Sequence, residues 1–430
     1  MKVTIMPGKI SGGLLAIPSK SHLHRLLICA ALSDKATFIE CAETDAEDIH
    51  ATIDCLTALG AMVERQEGGF AVTPLDRERC KPDSEALLPC MESGSTLRFM
   101  LPVVCALGIR GAFRMKGRLP ERPLAPLDAL LESGGVRLWR DAPDLLRCEG
   151  RLRPGDYHLP GDISSQYITG LLMALPLLEG PSRLTVTEPI ESADYIAMTL
   201  EALEAFGQKP GVSQIPGGIR YDIQGTGAFA GPLRIMAEGD WSNGAFWLCA
   251  GAMPGGDMRL RGLNRDSRQG DREVCGILER MGAAVDWKGD MLCVKESRRN
   301  GTEIDVRAIP DLGPVLAAVA AAGSGTTVIR NASRLRLKES DRLLSTARTL
   351  TTLGADVTET EDSLVINGRS RLTGGVVDSF GDHRIAMMAA IASAACSEPV
   401  TITGAEAVNK SYPAFWKDLA ALGKDVRVEA

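Results

Sequence analysis

Six copies of one pattern divide this chain and leave little freedom in how it can fold. In each copy an amphipathic run reaches a Leu, continues for two residues and usually a bulky apolar one, and stops at Gly. The copies run Leu56 to Gly60, Leu130 to Gly134, Leu203 to Gly207, Leu278 to Gly282, Leu350 to Gly354 and Leu419 to Gly423. The glycines recur about every 70 to 75 residues, and each suits the left-handed position just past a helix. Most copies continue into a Val-containing strand and a turn, as in Gly282-Ala283-Ala284-Val285-Asp286-Trp287-Lys288-Gly289-Asp290. A second pattern runs in phase with the first. It is a helix rich in Ala and Leu, apolar nearly all round, that opens with small or charged polar residues near Ser21, Ser95, Ser165, Ser242, Asp311 and Asp382. A helix apolar on every side has to be buried. Each unit therefore holds one buried helix, one amphipathic helix and several short strands, a mixed α/β repeat. Units this long exceed solenoid repeats, so six of them fit two domains of three. Three buried helices packed in parallel would bring their polar N-termini to one end of each domain. Two such ends facing each other would line a cleft with positive dipoles.

With 430 residues, 45% hydrophobic and 24% charged, the chain has the size and balance of an ordinary soluble protein of two or three domains. Its net charge of −7 argues against a nucleic-acid surface, so any anion site must be local, built from a few placed Lys and Arg residues. Met1 to Gly8 has no signal-peptide core, and no apolar run of 18 residues occurs. The eleven cysteines include no Cys-x-x-Cys pair, and the five histidines lack metal spacing. A cytoplasmic, reduced, metal-free protein is expected. No Gly-x-x-x-x-Gly-Lys-Ser/Thr and no Gly-x-Gly-x-x-Gly after a strand is present, so nucleotide hydrolysis and hydride transfer have no support.

The chemistry-bearing residues gather at the helix entrances. Lys20-Ser21-His22-Leu23-His24-Arg25 places Ser21 and Arg25 on one face with Lys20 at the mouth, an arrangement suited to a carboxylate or phosphate. Glu92-Ser93-Gly94-Ser95 lets backbone N–H groups approach an anion at Gly94, and Arg122 precedes a further helix. Ser164-Ser165-Gln166 offers three donors at one N-terminus, and Ser192 and Tyr195 could add more. Glu238-Gly239-Asp240-Trp241-Ser242 carries no cation and reads as a cap and domain junction, and Asn264 to Asp271 reads as a structural loop. Asp311 opens an all-apolar helix, either as a cap or as a base for a substrate hydroxyl. Leu337-Lys338-Glu339-Ser340-Asp341-Arg342 puts two cations and two carboxylates at a helix N-terminus, an end that favours anions. Arg384 in Asp382-His383-Arg384 needs a ligand or carboxylate partner at a buried entrance, and Lys410 precedes the last amphipathic helix. Acid/base chemistry between small polyanions fits this set.

Together Lys20-Ser21 with Arg25, Ser164-Ser165-Gln166, Leu337 to Arg342, Asp382-His383-Arg384 and Lys410 resemble the 3-phosphoshikimate 1-carboxyvinyltransferase family, in its order and spacing along essentially the whole chain. The resemblance implies two domains of three repeats, the inside-out α/β barrel of the enolpyruvyl transferases, with the active site in the interdomain cleft. Residues 16–234 would bind mainly shikimate 3-phosphate, while 1–15 with 235–430 would add cations for phosphoenolpyruvate. It further implies enolpyruvyl transfer to the 5-hydroxyl of shikimate 3-phosphate through a tetrahedral ketal, with phosphate released and no metal or organic cofactor. By motif, Lys20 would touch both substrates, and Ser21 and Arg25 the shikimate carboxylate. Ser164, Ser165, Ser192 and Lys338 would surround its phosphate, with Gln166 between the substrates. Gly94, Arg122, Arg342, Arg384 and Lys410 would hold phosphoenolpyruvate, Asp311 would accept the hydroxyl proton and Glu339 would protonate the methylene. Arg334 stands where some members have an Asn on the shikimate phosphate, and Gly94 is flanked by Ser93 and Ser95 where many relatives have Ala and Thr. The expected partners are these two small molecules, with no nucleic acid, no membrane and a monomeric chain. Two rivals are a sibling transferase acting on a UDP-amino sugar and a non-catalytic polyanion binder on the same scaffold.

Overall fold

The computed structural model describes residues 1–76, 84–227 and 229–429. The chain divides into two units, one of Lys20–Glu43 and Glu47–Ala237, the other of Met1–Ser19, Thr44–Ala46 and Glu238–Ala430. Among the described residues each unit has three four-stranded sheets of one topology. In the sheet around Ser182–Thr187, that strand runs parallel to Asp156–Pro160, with Asp156 opposite Arg183. On its other side it is antiparallel to Gly218–Ile223, which pairs in turn with Gly211–Ile215. The parallel pair is joined through the buried helix Ser165–Ala174, and the amphipathic helix Ala193–Ala205 leads into the hairpin. This is the unit counted in the sequence. The parallel connection requires a helical crossover, and the tight hairpin after it supplies the antiparallel edge.

Three strands come from outside their own repeat. Arg234–Met236 supplies the parallel edge strand of the first repeat by pairing with Thr37–Glu40. Ser11–Leu15 does the same beside Asp257–Arg261, and Lys2–Ile5 fills the hairpin position beside Val426–Glu429. The N-terminal segment therefore belongs with the C-terminal half.

Five of the six repeat glycines (60, 207, 282, 354 and 423) have positive φ, where the absence of a Cβ removes the usual strain. The expectation fails by one residue in the second repeat. Gly134 has φ −76° and continues the helical turn, while Gly135 at φ 102° takes the left-handed position.

The buried helices begin at Lys20, Gly94, Ser165, Trp241, Gly313 and His383. In Gly313–Ala321 every residue is buried, so its Val and Leu side chains each contribute about 1.5–3 kcal/mol over exposure. Packing of this completeness leaves only the first turns for polar chemistry.

Candidate active site

In the Lys20–Ala237 unit, the first entrance is held by paired charges. Lys20 Nζ lies 2.6 Å from Oδ2 of the buried Asp48, carried by the amphipathic helix Glu47–Ala58. Arg25 stacks over the Phe99 ring at 5.1 Å. Its Nε donates to Thr199 Oγ1 (2.9 Å), Nη1 to the Ser21 carbonyl (2.6 Å), and Nη2 to the Tyr195 carbonyl (3.0 Å) and Thr169 Oγ1 (3.3 Å). A guanidinium has five N–H groups, so one Nη1 proton is left for an anion beside Ser21. Burial lowers the Arg25 pKa to about 10. Behind Lys20, His24 Nδ1 meets Thr52 Oγ1 at 2.7 Å. Burial drives its pKa down to about 3, helped by Lys20 and Arg25 and opposed by Asp48, so the ring is neutral.

The second entrance depends on the absence of a side chain. Ser93 caps the Gly94–Leu107 helix by accepting from Thr96 N. A Cβ on Gly94 would stand 2.7 Å from Arg122 Nη1 and 3.1 Å from Arg98 Nη1, so both guanidiniums occupy the space glycine vacates. Arg98 Nη1 donates to Gln166 Oε1 (2.7 Å), and Gln166 Nε2 to Ser95 Oγ (3.0 Å), which fixes the glutamine between two entrances. At the third entrance Ser164 caps its helix by accepting from Gln166 N, and Ser165 is buried beside it. Ser192 has φ 56° at its helix start and its hydroxyl does not cap that helix. A non-glycine residue held there is strained, a condition concentrated at functional sites.

In the other unit, Arg342 is the hub. Its Nε donates to Asp382 Oδ2 (2.7 Å), Nη1 to Asp311 Oδ1 (2.7 Å) and Nη2 to Glu339 Oε2 (2.5 Å). Burial alone would lower its pKa, but the three carboxylates raise it above the ordinary arginine value. Asp382, fully buried, also accepts from Ser340 Oγ (3.0 Å) and from the Arg384 backbone N–H (2.9 Å). Asp311 meets Arg384 Nη2 at 3.3 Å and Lys338 Nζ at 3.6 Å. Burial would raise its carboxyl, yet Arg384, Lys338 and Arg342 outweigh it and hold the pKa well below the usual carboxylate range. Lys338 is pushed down to about 8 by burial, partly offset by Asp311, with Arg342 and Arg334 pushing further down. Lys410 Nζ lies 3.8 Å from Glu339 Oε1.

Lys20, Ser21, Arg25, Gly94, Arg122, Ser164, Ser165, Gln166, Ser192 and Tyr195 thus lie in one unit, and Asp311, Arg334, Lys338, Glu339, Arg342, Arg384 and Lys410 in the other. Tyr195 enters through its backbone carbonyl, which orients Arg25. Sequence reading gave no site role to Asp48, Arg98, Asp382, Ser242 or Asp271. Glu238 to Ser242 does form a cap, with Asp240 accepting from Asn243 N (2.7 Å), but Ser242 Oγ also accepts from Arg384 Nη2 at 2.7 Å. Asp271, in the loop read as structural, is buried and faces Ser242, Asp311 and Arg384. Burial and Asp311 push its pKa up to about 6. Among the described residues no three His, Cys, Asp or Glu gather as metal ligands, and no helix is long and apolar enough to cross a membrane.

The fold of repeated mixed α/β units is that of enolpyruvyl transferases of known structure. The whole fold is similar to an EPSP synthase from Acinetobacter baumannii, at 26% identity and TM-score 0.79, covering 99% of this chain and 100% of that one. It is also similar to the enolpyruvyl transferase NikO from Streptomyces tendae, at 18% identity and TM-score 0.77, covering 99% of this chain and 98% of that one. The family model for EPSP synthase (3-phosphoshikimate 1-carboxyvinyltransferase) matches residues 5–419. A 3-phosphoshikimate 1-carboxyvinyltransferase from Clostridium kluyveri is 41% identical over 425 residues, 99% of this chain and 98% of the relative. That of Clostridium acetobutylicum is 40% identical over 426 residues, with the same coverage. The chain belongs to the EPSP synthase family.

Proposed function

We infer that the chain transfers the enolpyruvyl group of phosphoenolpyruvate to the 5-hydroxyl of shikimate 3-phosphate and releases phosphate, a step of aromatic amino acid biosynthesis. Family membership carries the reaction. The residue roles rest chiefly on one observation, that the two candidate proton-transfer carboxylates, Asp311 and Glu339, share the buried Arg342 guanidinium.

In this reading Arg342, Arg384, Lys410 and Arg122 grip phosphoenolpyruvate, with Gly94 leaving room for Arg122. Ser164, Ser165, Ser192 and Lys338 hold the phosphate of shikimate 3-phosphate, with Arg334 as a further contact. The remaining Arg25 proton and Ser21 take its carboxylate. Lys20 and Gln166 serve both substrates, and Tyr195 orients Arg25. Asp311 accepts the 5-hydroxyl proton as the oxygen attacks C2 of phosphoenolpyruvate, while Glu339 protonates C3. The resulting ketal gives a methyl proton back to the Glu339 carboxylate as phosphate leaves, and the enol ether forms. Substrate anions would draw Arg342, Arg384 and Lys338 toward themselves and loosen their hold on Asp311. Its pKa then rises toward a value at which it can accept a proton. The cations meanwhile stabilise charge on the departing phosphate. The proposed reaction needs no nucleic acid, membrane or second chain, and a monomer in the cytoplasm is proposed with it.

Asp311→Ala and Glu339→Ala test the assignment. Each is expected to lower kcat at least about 100-fold, the usual scale of a lost proton-transfer group, while binding of shikimate 3-phosphate persists. Turnover at the wild-type rate would remove both from the chemistry.

A further inference from the structure

We propose that Ser242 and Asp271 are positioning residues that hold the Arg384 guanidinium toward the reacting anions, through a one-way hydrogen-bond relay from Arg384 to Ser242 to Asp271. The proposal rests on the reading above that Arg384 holds phosphoenolpyruvate.

Proton counting fixes the direction of the relay. Arginine has donors only, so Ser242 Oγ must be the acceptor of the 2.7 Å bond from Arg384 Nη2. In the proposed relay the single hydroxyl proton of Ser242 is then left for the facing Asp271 carboxylate, an acceptor. With that proton committed, Ser242 can present only lone pairs to Arg384. The guanidinium is held on its other edge by Asp311, through Nη2 to Oδ2 at 3.3 Å and Nη1 to the backbone carbonyl at 3.3 Å. The Phe246 ring lies 6.0 Å from Cζ, and Nε, buried, makes no hydrogen bond. Of these partners Asp311 is the group assigned to take the substrate proton. Once that carboxylate engages substrate, the bond to Ser242 is the shorter of the two hydrogen bonds that still hold Arg384 in its rotamer, beside that to the Asp311 backbone carbonyl.

The relay is also built on a rigid base. Gln269, two residues before Asp271 and itself buried, donates from Nε2 to the Gly239 carbonyl (2.8 Å), Glu238 Oε2 (3.1 Å) and Ser267 Oγ (3.2 Å). Its Oε1 accepts from Ser19 Oγ and Trp241 N, both at 3.0 Å. One side chain thereby ties the turn that carries Asp271 to the first residue of the helix that carries Ser242. A pair serving only as helix cap would not need this, since Asp240 already caps that helix.

Steady-state kinetics with each substrate varied, on Ser242→Ala, Asp271→Ala, the conservative Ser242→Thr and Asp271→Asn, and Arg384→Ala as reference, decide the matter, with thermal melts beside them. Ser242→Ala and Asp271→Ala should raise the KM for phosphoenolpyruvate about tenfold, a change of about 1.4 kcal/mol. The KM for shikimate 3-phosphate should stay within about twofold. Thr and Asn, which keep the hydroxyl and the acceptor, should recover most of the loss at equal thermal stability. If Arg384→Ala raises the phosphoenolpyruvate KM but the Ser242 and Asp271 variants do not, the relay is wrong and the reading of Arg384 stands. If Arg384→Ala leaves that KM unchanged, both fall. Equal loss in Ala and conservative variants, or equal rises in both KM values, would also overturn the relay and mark the pair as structural.

Discussion

Gly94→Ala is a perturbation of one methyl group whose effect can be worked out from distances. The new Cβ would lie 2.7 Å from Arg122 Nη1 and 3.2 Å from its Cζ, where ordinary van der Waals contact begins near 3.4 Å. Gly94 has an ordinary negative-φ helical backbone, so alanine brings no main-chain strain and the collision is the whole effect. The guanidinium has to retreat by about 0.7 Å, which stretches a hydrogen bond of about 2.9 Å beyond its useful range. Loss of one hydrogen bond to a charged group is worth about 1.5–3 kcal/mol, or about 10- to 100-fold in the KM for phosphoenolpyruvate. The KM for shikimate 3-phosphate should rise far less, because Ser164, Ser192 and Arg25 are not among the atoms nearest the new Cβ, and Arg98 Nη1, which holds Gln166, stands 3.1 Å away and has little distance to yield. Phosphate release measured with each substrate varied in turn gives both numbers. An unchanged phosphoenolpyruvate KM would refute the reasoning, as would an equal rise in both, since neither follows from a displaced Arg122.

Arg342→Met should destabilise the fold by about 3–5 kcal/mol in urea unfolding, because Asp311, Glu339 and Asp382 lose their common cation and Asp382 is fully buried; a loss under about 1 kcal/mol would contradict the hub. The buried His24 gives a pH signature: its folded pKa of about 3 lies below the ordinary value, so its stability contribution is complete above about pH 6.5 and is lost as pH falls toward 3. From pH 7 to 5 the wild type should lose about 2 kcal/mol more than His24→Asn, and equal slopes would show that the ring takes up a proton in the fold. Lys20→Met should reduce turnover sharply. Asp48→Asn should do so less, because it frees the lysine from its 2.6 Å partner without removing it; equal effects would make the pair structural.

The repeat was readable because burial imposes composition: Gly313–Ala321 can be apolar on every side only if nothing but its first turn meets water. The cationic entrances were readable for the same reason, since Arg342 and Arg384 have no place in such surroundings without partners. Closure of each unit was harder to read. Arg234–Met236 is three residues long, and Ser11–Leu15 carries two glycines, so neither shows a strand pattern without the neighbour that completes it. Gly134 and Gly135 show a limit of another kind, because two adjacent glycines are equivalent by composition and only the helix end decides which turns left-handed. Ser242, Asp271 and Asp382 each suit a cap or a loop when taken singly. Their meaning lies in distances to Arg384 and Arg342, between residues 40 to 142 positions apart in sequence.

The central claim is the identity of the acceptor. The most direct measurement is phosphate release from phosphoenolpyruvate with shikimate 3-phosphate, beside a parallel reaction offering a UDP-amino sugar. The account predicts release with the shikimate acceptor alone. Release with the amino sugar, or with neither acceptor, would contradict it.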